Sequence, residues 1–238
     1  MPTPARVPAV RKTGKTVSAA RPHQLQTAAI ETLFGRLAAL DPSPRTELHF
    51  RNPFELLVAV VLSAQATDVG VNKVTPRLFA RAPTPDAMLA LGEAEIEKLI
   101  GSLGLFRTKA RNLMGLCRQL LERHAGAVPD TREALQALPG VGRKTANVVL
   151  NVAFGEPTIA VDTHIFRVAN RTGLAPGRNV DAVEAALLTR VPAEFRQHAH
   201  HWLILHGRYV CKARAPDCGQ CVLRDLCLWK DKTGAATQ

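Results

Sequence analysis

The chain has 238 residues, of which 46% are hydrophobic, enough for one large domain or two modest ones with real cores. Its formal net charge of +11 favours a polyanionic partner such as nucleic acid, with an anionic membrane surface as the alternative. No apolar run reaches the roughly 18 residues that cross a bilayer, and no secretory-type apolar segment begins the chain, so we expect an intracellular protein with no membrane partner.

The first 22 residues are basic and poor in apolar side chains. They contain five Lys or Arg residues and no acid, and the rest of the chain still carries a charge of +6. Because such a segment has little apolar surface to bury, we expect residues 1–22 to form a disordered tail. A basic arm that follows DNA is one interpretation, and an arginine-rich transit peptide is another.

The spacing of apolar residues predicts helices along most of the remaining chain, and strand-like alternation is scarce, so the expected class is all-α. Asp68 and Asp162 are predicted N-caps, since Asp is among the preferred capping residues. The predicted helices cover 24–40, 54–62, a segment after Asp68, 86–91, 93–101, 107–124, a segment from Arg143, 163–169, 181–191 and 194–207.

A glycine-containing turn, Pro139-Gly140-Val141-Gly142, interrupts the helical spacing and predicts a helix, a hairpin and a second helix. Gly140 and Gly142 permit backbone angles that other residues avoid, so the hairpin N–H groups can approach a phosphate. The positive end of the second helix and Arg143 would add to that attraction. The alternative is a tight turn that binds no ligand.

Lys144 is predicted to lie in the first turn of the helix that follows the hairpin. The helix dipole there favours the neutral, nucleophilic amine, which can attack a sugar carbon and form a Schiff base. Asp162 follows 18 residues later at a predicted helix start, where capping and a catalytic role are compatible. The alternative for Lys144 is an ordinary solvated surface charge.

The stretch Leu138-Pro139-Gly140-Val141-Gly142-Arg143-Lys144-Thr145-Ala146, together with Val161-Asp162-Thr163-His164, resembles the endonuclease III family of helix-hairpin-helix DNA glycosylases. The similarity extends from about Asp41 to Trp229. It implies two α-helical domains with the active site in the cleft between them: a six-helix domain over 46–156, and an iron-sulfur cluster domain that combines 23–45 with 157–232.

The resemblance also implies roles for individual residues. Lys144 and Asp162 match the catalytic pair, and Gln65 and Leu105 match residues that fill the gap left by an extruded base. Without the family, Gln65 would be an ordinary helix end, and Leu105 a small core contact. The residues that match the DNA-binding hairpin are Leu138, Gly140, Val141, Gly142 and Arg143.

Four cysteines near the C-terminus, Cys211, Cys218, Cys221 and Cys227, form a C-x6-C-x2-C-x5-C pattern. In an intracellular protein this spacing disfavours disulfides and leaves zinc and an iron-sulfur cluster as alternatives. The family resemblance implies a 4Fe-4S cluster with a structural role. The fifth cysteine, Cys117, is predicted to be a buried apolar residue, and the histidines at 198, 200, 201 and 206 lack a metal-ligand pattern.

Three positions depart from the family pattern. Many relatives carry an acid at Gln136, and basic residues often stand at Ala215 and Asp217. Pocket polarity and phosphate contact by the cysteine loop could therefore differ in this chain.

The resulting functional prediction is a bifunctional DNA glycosylase and AP lyase that removes oxidised pyrimidines. Its partner would be duplex DNA containing damaged bases or abasic sites, and we expect a monomer, in the cytoplasm or nucleoid if the protein is bacterial. One alternative is an adenine-specific mismatch glycosylase, which Lys144 and the lack of a further C-terminal domain disfavour. The other is a non-catalytic DNA-binding or redox module.

Overall fold

The computed structural model describes residues 24–234, which form eleven α-helices, one short 3-10 helix and no β-strand. The all-α prediction is confirmed. The predicted N-terminal tail lies outside the described residues, and none of the described helices has the length and apolar character to cross a membrane. The helices are α1 (Thr27–Leu40), α2 (Pro53–Leu62), α3 (Asp68–Arg81), α4 (Pro85–Leu91), α5 (Glu93–Ile100), α6 (Phe106–His124), α7 (Arg132–Gln136), α8 (Arg143–Phe154), α9 (Thr163–Thr172), α10 (Val180–Arg190), the 3-10 helix (Ala193–Phe195) and α11 (Arg196–Tyr209).

Helix α2 is buried on all sides, as its composition predicts. Asn52 caps it by accepting a hydrogen bond from the Glu55 N–H, and Pro53 occupies the first helical position. The only charged side chain in the helix, Glu55, is 1% exposed, and its carboxylate accepts hydrogen bonds from the backbone and guanidinium of Arg51. The buried charge is therefore satisfied, and the apolar residues pack against α3 and α8.

The buried hydrophobic residues form two separate cores. The first contains residues between Leu48 and Leu150 from α2 to α8. The second joins α1 to α9, α10 and α11, and extends to Leu223. The first helix of the chain therefore packs with the last ones. The two domains predicted from the sequence stay a prediction, which this separation of the cores supports.

Helices α9 and α11 pack very closely because α11 carries a glycine at the crossing. A Cβ on Gly207 would lie 2.9 Å from the Cβ of His164 and 3.1 Å from a methyl carbon of Val168. Any larger residue at 207 would push the two helices apart. The position of α9, which begins just after Asp162, therefore depends on this contact.

One local expectation is corrected by the structure. The N-cap of α3 is Thr67, whose side chain accepts from Gly70 N–H, whereas Asp68 is the first helical residue. The carboxylate of Asp68 instead binds Arg208, a contact with a residue 140 positions away. The helix before the hairpin, α7, is only five residues long and is capped by Thr131.

Candidate active site

The hairpin between α7 and α8 is anchored by its apolar side chains. Leu138 and Val141 are buried in the first core, and the Val141 N–H donates to the Leu138 carbonyl at 3.1 Å. Gly140 has a φ of +79°, and a Cβ there would lie 2.9 Å from the amide of Asn112. Glycine is therefore required at 140 on conformational and steric grounds.

Gly142 has a different backbone conformation from Gly140. Its backbone is extended, with a φ of −89°, so the predicted need for unusual angles at this glycine is wrong. A Cβ at 142 would meet nothing within 4 Å, and no side chain caps α8. The hairpin therefore leaves open space beside the first-turn N–H groups of α8, which is the arrangement that binds an anion.

Lys144 lies in the first turn of α8, is exposed, and lines an open pocket of about 250 Å³. The pocket is formed where the segment before α2, the end of α2, the start of α8 and helix α11 meet, so both cores contribute to it. Its lining contains no Phe, Tyr or Trp. The lining residues are Thr46, Leu48, Val60, Ser63, Ala64, Gln65, Asp68, Lys144, Thr145, Val148, His200, Ile204 and Arg208.

His200 contributes a neutral imidazole to this pocket. The residue is 3% exposed, and its Nδ1 has no hydrogen-bond partner. Burial, followed by the nearby charges of His201, Lys144 and Arg208, lowers the pKa of His200 to about 3. The imidazole is therefore uncharged at neutral pH and adds no positive charge beside the amine of Lys144.

Asp162 caps α9, as predicted. Its Oδ1 accepts from the N–H groups of His164 at 2.9 Å and Ile165 at 2.8 Å, and the residue is half-buried. Both N–H groups donate to Oδ1, so Oδ2 takes no part in capping the helix. Asp162 is not among the residues that line the Lys144 pocket, and its convergence with Lys144 stays a prediction.

Gln65 and Leu105 share an uncommon backbone conformation. Both have positive φ, 54° and 58°, although neither is glycine, and both are exposed, Leu105 at 58%. The loop that carries Leu105 lies close to the start of α3, because a Cβ on Gly70 would lie 3.7 Å from a methyl carbon of Leu103. The alternative of a core contact is therefore wrong for Leu105, whose neighbour Leu103 is buried instead.

Arg143 is held in an ion pair. Its guanidinium donates to the carboxylate of Glu184 on α10 through Nη2 at 2.8 Å and through Nε at 3.1 Å. These hydrogen bonds, with the charge of Glu184, raise the pKa of Arg143. The predicted contact between Arg143 and DNA stays a prediction.

Arg208 and Glu184 are candidate site residues that the sequence analysis missed. Arg208 lies on α11 and donates to Asp68 at 2.7 Å and to Glu47. Its partners are 140 and 161 residues away, and no local pattern marks such contacts. His200 was considered only as a metal ligand, not as a residue of the Lys144 pocket.

The four late cysteines surround one pocket in the second half of the structure. Arg171 donates to the sulfur of Cys211 at 3.6 Å, and His206 Nε2 lies 3.7 Å from that of Cys221. Burial raises the pKa of Cys221 to about 11, so a cationic group is needed to hold this thiol as a thiolate. Four cysteine sulfurs around one pocket suit an iron-sulfur cluster. Within residues 24–234, the histidines of α11 belong to no group of three or more side chains that could hold a metal ion.

Cys117 and the cysteine loop agree with the sequence-based expectations. Cys117 is fully buried on α6, and burial raises its pKa to about 12. The loop is tied to the first helix of the fold, because Arg36 of α1 donates to the Val222 carbonyl at 2.7 Å and pairs with Asp225.

Two family models match the chain. Residues 58–193 match the HhH-GPD superfamily base excision DNA repair proteins, and residues 211–227 match the iron-sulfur binding domain of endonuclease III. The second match begins at Cys211 and ends at Cys227, so it contains all four cysteines of the pattern.

Similar proteins match this chain over most of their own length. Endonuclease III of Escherichia coli K12 is 62% identical over 83% of this chain and 93% of its own length. That of Haemophilus influenzae is 59% identical over 87% and 98%. A trapped endonuclease III-DNA covalent intermediate superposes with a TM-score of 0.81 at 48% identity, covering 86% of this chain and 97% of the other. A thermostable thymine-DNA glycosylase gives 0.76 at 26% identity, covering 85% and 96%.

Proposed function

This chain belongs to the endonuclease III family of helix-hairpin-helix, iron-sulfur DNA glycosylases, and we propose that Lys144 is its nucleophile and Asp162 its catalytic carboxylate. The protein is a base excision repair enzyme with DNA glycosylase and AP lyase activities. Its substrate is duplex DNA, and we propose oxidised pyrimidines as the excised bases. The observation that carries this assignment is the exposed Lys144 in a pocket lined from both cores.

The hairpin positions the DNA. The N–H groups at the start of α8 lack a capping side chain and can donate to a backbone phosphate, and the absent side chain of Gly142 gives the phosphate room. Leu138 and Val141 are buried, so they act by fixing the hairpin backbone. Phosphate contacts of this kind set the register of the DNA and carry no sequence information.

Gln65 and Leu105 would occupy the space left by the extruded nucleotide. A positive φ at a residue other than glycine costs roughly 1–2 kcal/mol, and strain of this kind is concentrated at functional sites. Both side chains are exposed and lie on loops. The insertion of such side chains into the base stack compensates for the lost stacking and keeps the lesion outside the helix.

The chemistry proceeds through covalent intermediates between Lys144 and C1′ of the extruded nucleotide. The amine of Lys144 attacks C1′; the N–C1′ bond forms, the glycosidic bond breaks, and the base leaves with the proton that the amine gives up. The C1′–O4′ bond then breaks, O4′ takes up a proton from water, and a Schiff base forms between Lys144 and C1′. Loss of a C2′ proton then breaks the bond between C3′ and the 3′ oxygen, which nicks the strand. Asp162 stabilises the positive charge that develops on the sugar.

The cluster site has a structural role. Cys211, Cys218, Cys221 and Cys227 hold the 4Fe-4S cluster, which supplies a rigid cross-link for the C-terminal loop. Arg36 and Asp225 connect that loop to α1. Because its substrate is duplex DNA and the similar proteins are bacterial, we propose that the protein acts inside the cell, in the cytoplasm or nucleoid.

The test uses a duplex that contains one thymine glycol. The wild-type protein should nick this strand and become covalently attached to it in the presence of borohydride, which reduces the Schiff base. Lys144→Gln should abolish attachment and retain DNA binding, whereas Lys98→Gln, at an exposed lysine of α5, should behave as wild type.

Three results would change the assignment. Persistent trapping of Lys144→Gln would place the nucleophile elsewhere. Excision of mismatched adenine in place of thymine glycol would indicate the adenine-specific alternative. Binding to abasic DNA with no excision or nicking would indicate a non-catalytic module.

A further inference from the structure

Glu184 is a buried carboxylate whose hydrogen-bond partners all lie on another helix. It belongs to α10, beside residues of the second core, and is 4% exposed. Its partners are on α8 of the first core: Arg143 through Nε and Nη2, and Asn147, whose Nδ2 donates to Oε1 at 3.1 Å. A carboxylate removed from water needs such partners, because its desolvation is costly.

These contacts fix the first part of α8. Arg143 and Asn147 are four residues apart, so they project from the same face of the helix, one turn from each other. One carboxylate that binds both of them restrains the rotation and the axial position of α8 relative to α10. Lys144 lies between them in the sequence and within the restrained turn.

The same network reaches the helix before the hairpin. Arg132 of α7 donates through Nε to Oδ1 of Asn147 at 3.0 Å, and the amide of Asn147 is 1% exposed. The hydroxyl of Thr158 also donates to the Asn147 carbonyl at 2.6 Å. Both helices that flank the hairpin are therefore connected to Glu184.

We propose that Glu184 is a positioning residue for Lys144: by binding Arg143 and Asn147 it fixes the first turn of α8 against the second core, and so sets where the amine meets the extruded sugar. This rests on the proposed role of Lys144 as the nucleophile. It also implies that the guanidinium of Arg143 binds Glu184 and not a DNA phosphate. Loss of the network should therefore lower the rate of the covalent step more than the affinity for DNA.

The experiment compares three variants with the wild type. Glu184→Gln keeps the shape of the side chain and removes its charge. Arg143→Gln leaves the carboxylate of Glu184 without its cation. The double variant Arg143→Gln/Glu184→Gln replaces the ion pair by two carboxamides that can bind each other. Asp181→Asn, at an exposed residue of the same helix, is the matched control for loss of a negative charge near Arg143.

Two quantities are measured on a duplex with one abasic site: the single-turnover rate constant of borohydride trapping at saturating protein, and the dissociation constant. A misplaced reacting group can cost about 100-fold in rate, so we expect Glu184→Gln to lower the rate constant about 10-fold or more. The dissociation constant should change less than about 3-fold, the double variant should recover most of the rate, and Asp181→Asn should match the wild type. Thermal unfolding and the visible colour of the cluster confirm that each variant is folded.

Several outcomes would overturn the proposal. An unchanged trapping rate in folded Glu184→Gln would show that the network does not position Lys144. A loss of DNA affinity in Arg143→Gln that the double variant does not recover would indicate that Arg143 contacts a DNA phosphate. Lys144→Gln separates the two hypotheses, since trapping that persists there refutes the nucleophile itself whatever Glu184→Gln does. If both single variants fail to fold, a double variant that folds and still traps slowly would equally refute the positioning role.

Discussion

Arg208 on α11 donates a 2.7 Å hydrogen bond to Asp68, the first residue of α3, and both side chains line the pocket that contains Lys144. The contact joins the second core to the loop that carries Gln65. Arg208 also binds Glu47, so a single guanidinium connects three separate stretches of chain at the mouth of the pocket.

Asp68→Asn should weaken base excision more than strand nicking. The substitution keeps the shape of the side chain and removes the charge that orients Arg208. Arg208 is then held less firmly, so the pocket positions a damaged base less well. We expect excision of thymine glycol to fall about 10-fold, and nicking of abasic DNA, which has no base to place, to fall less. Equal losses on the two substrates would contradict this role.

Asp162→Asn should separate catalysis from stability. Asn caps helices about as well as Asp, so the N–H groups of His164 and Ile165 keep an acceptor and the free energy of unfolding should change by less than about 0.5 kcal/mol. The glycosylase rate should nevertheless fall about 100-fold, because a neutral amide cannot stabilise positive charge on the sugar. Asp162→Ala, which also loses the cap, should cost about 1 kcal/mol in urea unfolding.

Leu105→Gly should stabilise the protein and weaken its binding to damaged DNA. Glycine adopts a φ of 58° without strain, and the exposed leucine contributes little burial, so the free energy of unfolding should rise by up to about 1 kcal/mol. Loss of the side chain should weaken binding to a lesion-containing duplex. Ala125→Gly, at a positive φ that ends α6, is the matched control and should stabilise without affecting binding.

The two hairpin glycines should respond differently to alanine. Gly140→Ala combines a positive φ with a 2.9 Å contact to Asn112, so we expect a loss of about 1–2 kcal/mol in the free energy of unfolding. Gly142→Ala should fold normally, because its backbone is extended and its surroundings are open. Its methyl group would stand where we place the phosphate, so DNA affinity should fall in a binding titration. An unaffected affinity would move the phosphate away from Gly142.

Substitution of a cluster cysteine should remove the colour of the protein. Cys221→Ala takes away one of the four sulfurs that line the cluster pocket, so the purified variant should lose its iron and its yellow-brown absorption. Cys117→Ala should keep both, since this thiol is buried in the first core. A colourless wild-type protein that contains zinc would contradict the cluster assignment.

Local sequence predicts what depends on local contacts. The cap of α9 follows from Asp162, since its partners lie two and three residues away. The start of α3 shows the limit: both residue types can cap, and in the structure Thr67 caps the helix while Asp68 binds the distant Arg208.

The candidate site residues also divide into those that local sequence predicts and those that it does not. Lys144 and the four cysteines stand in patterns that can be recognised along the chain. The partners of Glu184 lie 37 and 41 residues away, and a glutamate on a predicted helix carries no sign that it is buried. The same holds for the backbone of Gln65 and Leu105, because neither residue type predicts a positive φ.

The arrangement of the two cores has a consequence for biosynthesis. The first core uses one uninterrupted stretch, from Leu48 to Leu150, and can condense as soon as that stretch leaves the ribosome. Helix α1 emerges earlier, yet its apolar face stays uncovered until α9–α11 and Leu223 have been synthesised. During that interval the nascent chain carries an unmatched amphipathic segment, which is the part we expect a chaperone to shield.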